Sequence, residues 1–573
     1  MLAAALIAAI GTSLPPATRA PESAPGDGDV AGVVHVHSNR SDGRSAPDII
    51  AASAAKAGLK FVVLTDHGDA TRPPDPPAYV SGVLLIDAVE ISTDHGHVVA
   101  LKLPRAPYPL AGESRDVIED VHRLGGFAVA AHPDSPKDDL RWTDWESPID
   151  GVELLNLDSE WRFLAAGDWR SRLDLLRAAL SYPVRPAPAI AALTRDHDTP
   201  LITRWAEASR TRRLAIFAGA DAHARLDLVA RGPGETPIAL PLPSYEAVFR
   251  TMSTRVRPEE PLNGDAAHDA QQVLDALTQG HAHTVFDALL TPPAFAFQAS
   301  AGAITVGEGD ALTTDEEVTL TLRTNAPVAF KAVLYRNHER FQEASSGIEP
   351  SWRVPAEPAF YRVEIRATDR SPERLWLLSN PIYVNMTHNE SYVSGLNDAG
   401  ESQGSKPAGA AARALFDAKS SGTWTSEAAA ESKTAVDVVT PQGVAARELL
   451  FRYGFPSGPV VGQYAAAVVN TSGGIEPYRA LSFTARSEQP IRLSVQLRQE
   501  GSDGQGWRWQ RTVYLDSNTT HHTLALEDFR PMGPTLTDRA PLEHVSSILL
   551  AVDQTNTKPG SSGRVWFSSV VLE

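Results

Sequence analysis

The sequence predicts an α/β barrel followed by two all-β domains, and three observations carry that expectation. From Val30 to about Leu290, short apolar runs alternate with helical segments, the pattern of parallel strands joined by crossover helices. Histidines and carboxylates close several of those runs, the end at which a β/α barrel carries its active site. After Pro292-Pro293 the helical signals fade, and apolar residues recur in period two between turn residues.

Residues 1–28 read as a signal-like segment and linker. The apolar run Leu2 to Ile10 is well short of the ~20 residues that span a bilayer. Small residues and Thr18-Arg19-Ala20 resemble the end of a secretory signal, which implies export to the periplasm or the exterior; a disordered Ala/Pro arm is the alternative. No other stretch is apolar enough to cross a membrane. The barrel is expected over 29–290, with strands in GVVHVH, KFVVLTDH, VLLIDAVEIST, HVVALKL, FAVAAHP, GVELLNLD and LAIFAGADAH. In SAPDIIAASAAKAG, Pro47 suits a helix start and Gly58 a stop. In ESRDVIEDVHRLGG, Ser114 is the expected cap, Val117, Val121 and Leu124 form one stripe, and Gly125 ends the helix. About seven such units favour a barrel over an open sheet.

Residues 291–387, with VTLTLRT, FKAVLYRN, FYRVEIRA and LWLLSNPIYV, are expected to form a β-sandwich. Residues 388–408 are polar and Gly/Ser-rich, a flexible linker. Over 409–573 the alternation of Leu481, Phe483 and Ala485, then Ile491, Leu493, Val495 and Leu497, marks a second β-domain. Its LEDF element and ending resemble jelly-roll modules of the carbohydrate-binding or galactose-binding-like type. Trp507 and Trp509 leave a strand on one side, to stack on a sugar ring or simply to pack.

Composition narrows the chemistry. The 573 residues carry a formal net charge of −18, against the Lys/Arg surplus that sequence-independent nucleic-acid binding needs. With no cysteine, disulfides, thiolate metal sites and a cysteine nucleophile are excluded. His35/His37, Asp66/His67, Glu90, His132 and Asp221/His223 all lie at the trailing ends of apolar runs. His35 and His37 are two apart, so on a strand both point to one face. Imidazoles and carboxylates gathered at one mouth suit Zn, Mn or Fe(II). Without a cation, Asp42, Asp66, Glu90 and Asp221 in one pocket would cost several kcal/mol or be forced to protonate.

HVHSNRSDG, LTDHGD, AVEIST with GHVVAL, AAHP and GADAH stand in the order found in the PHP (polymerase and histidinol phosphatase) superfamily, which this chain resembles over roughly residues 30–290. The resemblance implies a distorted (β/α)7 barrel holding two to three divalent ions. His35, His37, Glu90 and Asp221 match the first ion's ligands; Glu90 bridges to a second held by His97 and His132; Asp42, His67 and His223 match the third. His95 competes with His97, but only His97 directly precedes the run VVAL. The implied chemistry is hydrolysis of a phosphate mono- or diester. Arg40, Lys137 and Arg225 stand near proposed ligands as phosphate-binding cations, and Asp66 either orients His67 or shuttles a proton. The expected partner is a phosphorylated small molecule or glycan-linked substrate, with carbohydrate binding by the C-terminal domain. His122, His197, His281 and His283 are expected to be hydrogen-bonded core residues, and Glu153 and Asn156 to line the site or to cap a strand. An amidohydrolase-type reaction and a non-catalytic glycan-binding protein with structural metals are the competing readings.

Overall fold

The computed structural model describes residues 18–19, 29–195, 200–229, 238–291, 293–327, 329–345, 349–368, 373–387, 411–419, 422–440, 446–471, 473–501, 506–533 and 537–573. The signal-like segment apart from Thr18–Arg19, His197 and the linker at 388–408 therefore lie outside the described residues. Two compact units emerge: Met1–Pro104 with Glu113–Glu390, and Arg105–Gly112 with Ser391–Glu573.

The first unit is built on a closed sheet. Strands β1 (Val30–Val36), β2 (Phe61–Leu64) and β3 (Val83–Asp87) lie parallel. A hairpin follows, β4 (Val89–Thr93) and β5 (Gly96–Leu101), and β5 runs antiparallel to β6 (Phe127–Ala130). Strands β6, β7 (Gly151–Asn156) and β8 (Ala215–Ala222) are again parallel, and β8 closes on the end of β1. Beside the start of β1 runs β9 (Ser253–Val256), antiparallel to it and to β10 (Ala282–Val285), which passes the sheet on to β11 (Arg374–Ser379). Val34, Phe61, Val63, Leu84, Ile86, Val99, Val129 and Phe217 fill the interior, their burial supplying most of the drive to close.

This architecture corrects the expected α/β class and its (β/α)7 barrel. The described residues are mostly β, 41% strand against 17% helix, and among them the regular alternation of strand and crossover helix is missing. The run VLLIDAVEIST breaks at Ala88 into two strands, and no helix separates β2 from β3 or β4 from β5. Four of the eight described helices instead crowd one connection, from β7 to β8: Leu157–Ala166, Trp169–Ser181, Pro186–Ala191 and Pro200–Ala208. The boundary expected near 290 falls inside the first unit, where β10 pairs with β11.

Local signals fared better where they depend on backbone chemistry. Helix Pro47–Ala57 starts on Pro47 and stops at Gly58, whose φ of 84° is the left-handed cap that glycine adopts at least cost. Gly125, at φ 82°, follows helix Ser114–Arg123 as expected. Ser114 does not cap that helix: it is its first residue, and its hydroxyl donates to Asp144 Oδ2 at 2.6 Å.

Among the described residues the second unit is a β-sandwich of two six-stranded antiparallel sheets. Leu493, Val495, Leu497, Leu550 and Val552 of one sheet share a core with Phe451, Phe483 and Phe567 of the other. Trp509 belongs to that core, its indole Nε1 donating to the Thr537 carbonyl at 3.1 Å, and Trp507 packs against it. Packing is thus the use the fold makes of Trp509, while Trp507 stays partly exposed. No helix among the described residues is long and apolar enough to cross a membrane.

Candidate metal centre

At the mouth of the closed sheet the strand ends bring all nine proposed ligands together. His35, the last residue but one of β1, lies in the left-handed region, φ 66°, and the pairing of β1 shifts register there against both β2 and β8. His132, just past β6, and Asp221, near the end of β8, are also left-handed, at φ 30° and 45°. Such backbone costs about 1–3 kcal/mol per non-glycine residue and persists where surrounding contacts over-determine it, most often at functional sites. His35 in β1 and His37 just past it therefore meet through a local irregularity, not through the even alternation of a regular strand.

The donor atoms form a polyhedron. His35 Nε2 and His37 Nε2 are 3.1 Å apart, and Glu90 Oε2 is 3.3 Å from the first and 3.2 Å from the second. Asp221 Oδ1 is 3.5 Å from each. A tetrahedral ion with bonds of about 2.0–2.1 Å spaces its donors roughly 3.3–3.4 Å apart, so these edges fit a coordination shell. Protons alone fit worse, because His35 Nε2 faces three groups and can hold one proton. Glu90 divides its oxygens: Oε2 serves this set and stands 3.3 Å from His67 Nδ1, while Oε1 lies 2.8 Å from His97 Nδ1 and 2.9 Å from His132 Nε2. Asp42 Oδ2 is 3.3 Å from His223 Nε2 and 3.7 Å from His67 Nε2, with His37 Nδ1 3.4 Å from Oδ1. Four groups, His35/His37/Asp221, His35/Glu90/His132, His67/Glu90/His97 and His37/Asp42/His67/His223, each keep their ligand atoms within 4.8 Å of one another. His95 stays outside all four, bonded to Thr143 Oγ1 at 3.1 Å.

Electrostatics favour positive charge here. Burial works against charge on His35, yet Glu153, Asp221 and Glu90 raise its pKa well above the usual imidazole range. Burial likewise opposes His37, but hydrogen bonds to Asp221 and Glu90 push it up to about 10. Burial would raise Glu90 and Asp221; the His35 charge and bonds from neighbouring imidazoles hold both well below the ordinary carboxylate range. Ionised acids facing imidazoles are a donor set in which divalent ions can replace protons.

Around this centre several residues act as positioners. Glu153 Oε1 accepts from the Nδ1–H of His35 at 2.6 Å, and its Oε2 accepts from the His132 backbone N–H at 2.8 Å and from Asn156 Nδ2 at 3.0 Å. That fixes the His35 tautomer so that Nε2 is free to bind a cation. Asn156 also caps helix Leu157–Ala166 through Ser159 N–H. Asp66 does not touch His67 among the bonds observed; it accepts from Ser38 N–H at 2.8 Å, Ser38 Oγ at 2.6 Å and Ser41 Oγ at 2.6 Å, holding the turn that carries His37 and Asp42. Arg40 reaches a cavity beside His67, but its guanidinium is bound to Asp75 and to Asp87 Oδ1 at 3.2 Å. Arg225 lines a second cavity with Asp221 and His223, and Lys137 is exposed.

Sequence reading missed Tyr245, whose hydroxyl lies 2.7 Å from the His37 carbonyl and 3.1 Å from the His223 carbonyl. It also missed Arg195, which bridges Glu160 Oε2 at 3.1 Å and Asp134 Oδ2 at 2.9 Å, two residues beyond His132. Both arrive from distant chain segments, and no local pattern announces them. His122 pairs with Asp150 at 2.7 Å and His281 with Asp310 at 2.9 Å, the structural roles expected of them.

Gly219 gives a test of the Glu153 contact. A Cβ there would stand 2.4 Å from Glu153 Oε1, inside any real contact distance. Gly219→Ala is expected to drive that carboxylate off His35 and, if this donor set holds divalent ions, to weaken their binding about 10–100-fold, the usual cost of losing a group that orients a ligand. Metal titration of the variant checks it, and unchanged affinity would remove the role given to Glu153.

No family model matches the chain, and no curated protein matches it. Solved structures to which it is similar are β-sandwich carbohydrate-binding modules. The family 11 module of the cellulosomal cellulase Lic26A-Cel5E of Clostridium thermocellum is 17% identical, covers 28% of this chain and 94% of its own, and has a TM-score of 0.24. A family 30 carbohydrate-binding module is 14% identical over 28% of this chain and 98% of its own, at a TM-score of 0.22. A structure described as a promiscuous carbohydrate-binding module of the β-sandwich superfamily is 14% identical over 49% of this chain and 99% of its own, at 0.20. Similarity at this level says nothing of what this chain binds.

Proposed function

We propose that the chain is a metal-dependent phosphoesterase of the PHP type, hydrolysing a phosphate mono- or diester. The observation that supports this reading is the donor polyhedron centred on Glu90, whose two oxygens face different histidine sets. His35, His37, Glu90 and Asp221 would hold one ion, Glu90, His97 and His132 a second, and Asp42, His67 and His223 a third, with Zn, Mn or Fe as the ions. Bound there, divalent ions supply Lewis-acid charge for phosphate oxygens and lower the pKa of bound water. The chain's own residues do the rest. Glu153 keeps His35 in the binding tautomer, Asp66 anchors the turn under His37 and Asp42, and Tyr245 clamps the backbone of His37. Arg225, at the cavity that opens beside His223, is the cation we assign to a non-bridging phosphate oxygen.

The test is metal analysis together with hydrolysis of an aryl phosphate by metal-free protein to which Mn, Zn or Fe(II) is added back. His132→Ala is expected to cost on the order of a hundredfold in kcat/KM, about 2.7 kcal/mol. Activity indifferent to that substitution defeats the proposal. Bound metal without turnover of any phosphate ester would favour the non-catalytic reading, in which the ions are structural.

A further inference from the structure

Asp221 and His223, with Asp158 and Arg225, line a cavity of ≈ 240 Å³ whose remaining walls are mostly apolar, among them Trp161, Leu175, Ile190 and Leu193. Helix Trp169–Ser181 forms one wall and turns a second apolar stripe outward: Trp169 is 68% exposed and Leu176 53%, with Leu173 and Val184 exposed beside them. Single exposed apolar residues are ordinary, but a stripe with a tryptophan at one end of a helix marks an interaction surface. Charge adds the second observation. In a chain of net charge −18, the stretch 169–185 carries Arg170, Arg172, Arg177 and Arg185 against Asp174 alone. Exposed Trp and Leu interleaved with Arg on one helix is the composition that settles into an anionic lipid interface, the arginine stems lying along apolar surface.

Building on the phosphoesterase reading, we infer that the substrate is an amphiphilic phosphate ester drawn from an anionic lipid surface. Helix Trp169–Ser181 rests on the surface, the hydrocarbon part of the ester enters the apolar cavity, and the phosphate reaches the donor cluster at Asp221 and His223. The cavity walls select the alcohol portion by burying its methylenes, about a fourfold gain in affinity for each one fully buried.

The full-length protein with Mn supplied is tested in two ways. Sedimentation with phosphatidylcholine vesicles, with and without phosphatidylglycerol, should show binding that requires the anionic lipid and that falls at least about tenfold in Trp169→Ser/Leu176→Ser, while methyl phosphate hydrolysis is unchanged. Octyl phosphate should exceed methyl phosphate in kcat/KM by about tenfold or more, chiefly through KM, and Leu175→Trp, which fills the cavity, should erase that advantage. Vesicle binding that is absent, or indifferent to the double substitution, overturns the lipid surface. Self-association abolished by the same substitution overturns it in favour of a second copy of this chain. Equal kcat/KM for the two esters overturns the cavity assignment and leaves the phosphoesterase reading standing. Failure to hydrolyse either ester, with anionic vesicle binding retained, overturns the phosphoesterase reading and supports the surface.

Discussion

Under the proposed phosphoesterase reading, Glu90→Gln is expected to lower kcat/KM for an aryl phosphate on the order of a thousandfold, about 4 kcal/mol of transition-state stabilisation, and to remove most of the metal that the donor set would hold. The carboxylate is 1% exposed and its two oxygens stand within 3.3 Å of five imidazole nitrogens, those of His35, His37, His67, His97 and His132. Glutamine keeps the volume and one oxygen but turns an amide N–H2 toward one of the histidine sets, where a cation would sit. It also withdraws the negative charge that would offset two ions at once, which is why the effect should exceed the 10–100-fold of losing a mere orienting group such as Glu153. Metal content per chain, circular dichroism and steady-state kinetics read the outcome together. A folded variant with full metal content and wild-type turnover would falsify the bridging role of Glu90.

What the sequence made legible follows from which properties are local. Histidine and carboxylate at strand ends are chemical identities, readable at each position, and the structure brings all nine candidates to one mouth although Asp221 is 186 residues from His35. Strand direction is not local. HVVALKL has the same apolar run whether it lies parallel or antiparallel to its neighbour, and the antiparallel hairpin of β4 and β5 turns at Gly96, φ 114°, in a stretch that reads as one more repeat. Counting runs therefore suggested seven parallel units where hairpins and antiparallel strands complete the sheet. Partner choice is equally non-local: Arg40 is two residues from Ser38 and close to the centre, but its charge is spent on Asp75 and Asp87. Glu153 was visible as a strand-end acid, and only the fold shows that it serves His35 and the backbone of His132 at once.

Away from the metal centre, Glu308→Gln is expected to make the protein more stable in alkaline solution while leaving it unchanged in mild acid. Glu308 is 3% exposed; its Oε1 accepts from the Asn380 backbone N–H at 3.2 Å and its Oε2 lies 3.3 Å from Nδ1 of the equally buried His283. Burial pushes the Glu308 carboxyl up to about 8 against the pull of Arg257, and burial drives His283 down to about 4. Both groups are thus neutral around pH 6 to 7, with the carboxyl facing the imidazole Nδ1 at 3.3 Å. The signs differ. A carboxyl raised in the folded state contributes stability that is full below its unfolded value of about 4.3 and is lost as pH rises through 8. An imidazole lowered in the folded state contributes stability that is full above about 6.5 and is lost as pH falls through 4. Glutamine reproduces the protonated carboxyl, oxygen toward Asn380 and N–H toward His283, and cannot ionise. The wild-type Tm should therefore fall between pH 6 and 9 while the Glu308→Gln protein holds flatter, the gap at the alkaline end reaching roughly 5 °C for a loss of a few kcal/mol. His283→Ala, by contrast, should lose stability at every pH, since it leaves a buried acid without its partner. Parallel Tm curves for wild type and Glu308→Gln across that range would show that Glu308 is already ionised at neutrality and that the buried pair is charged.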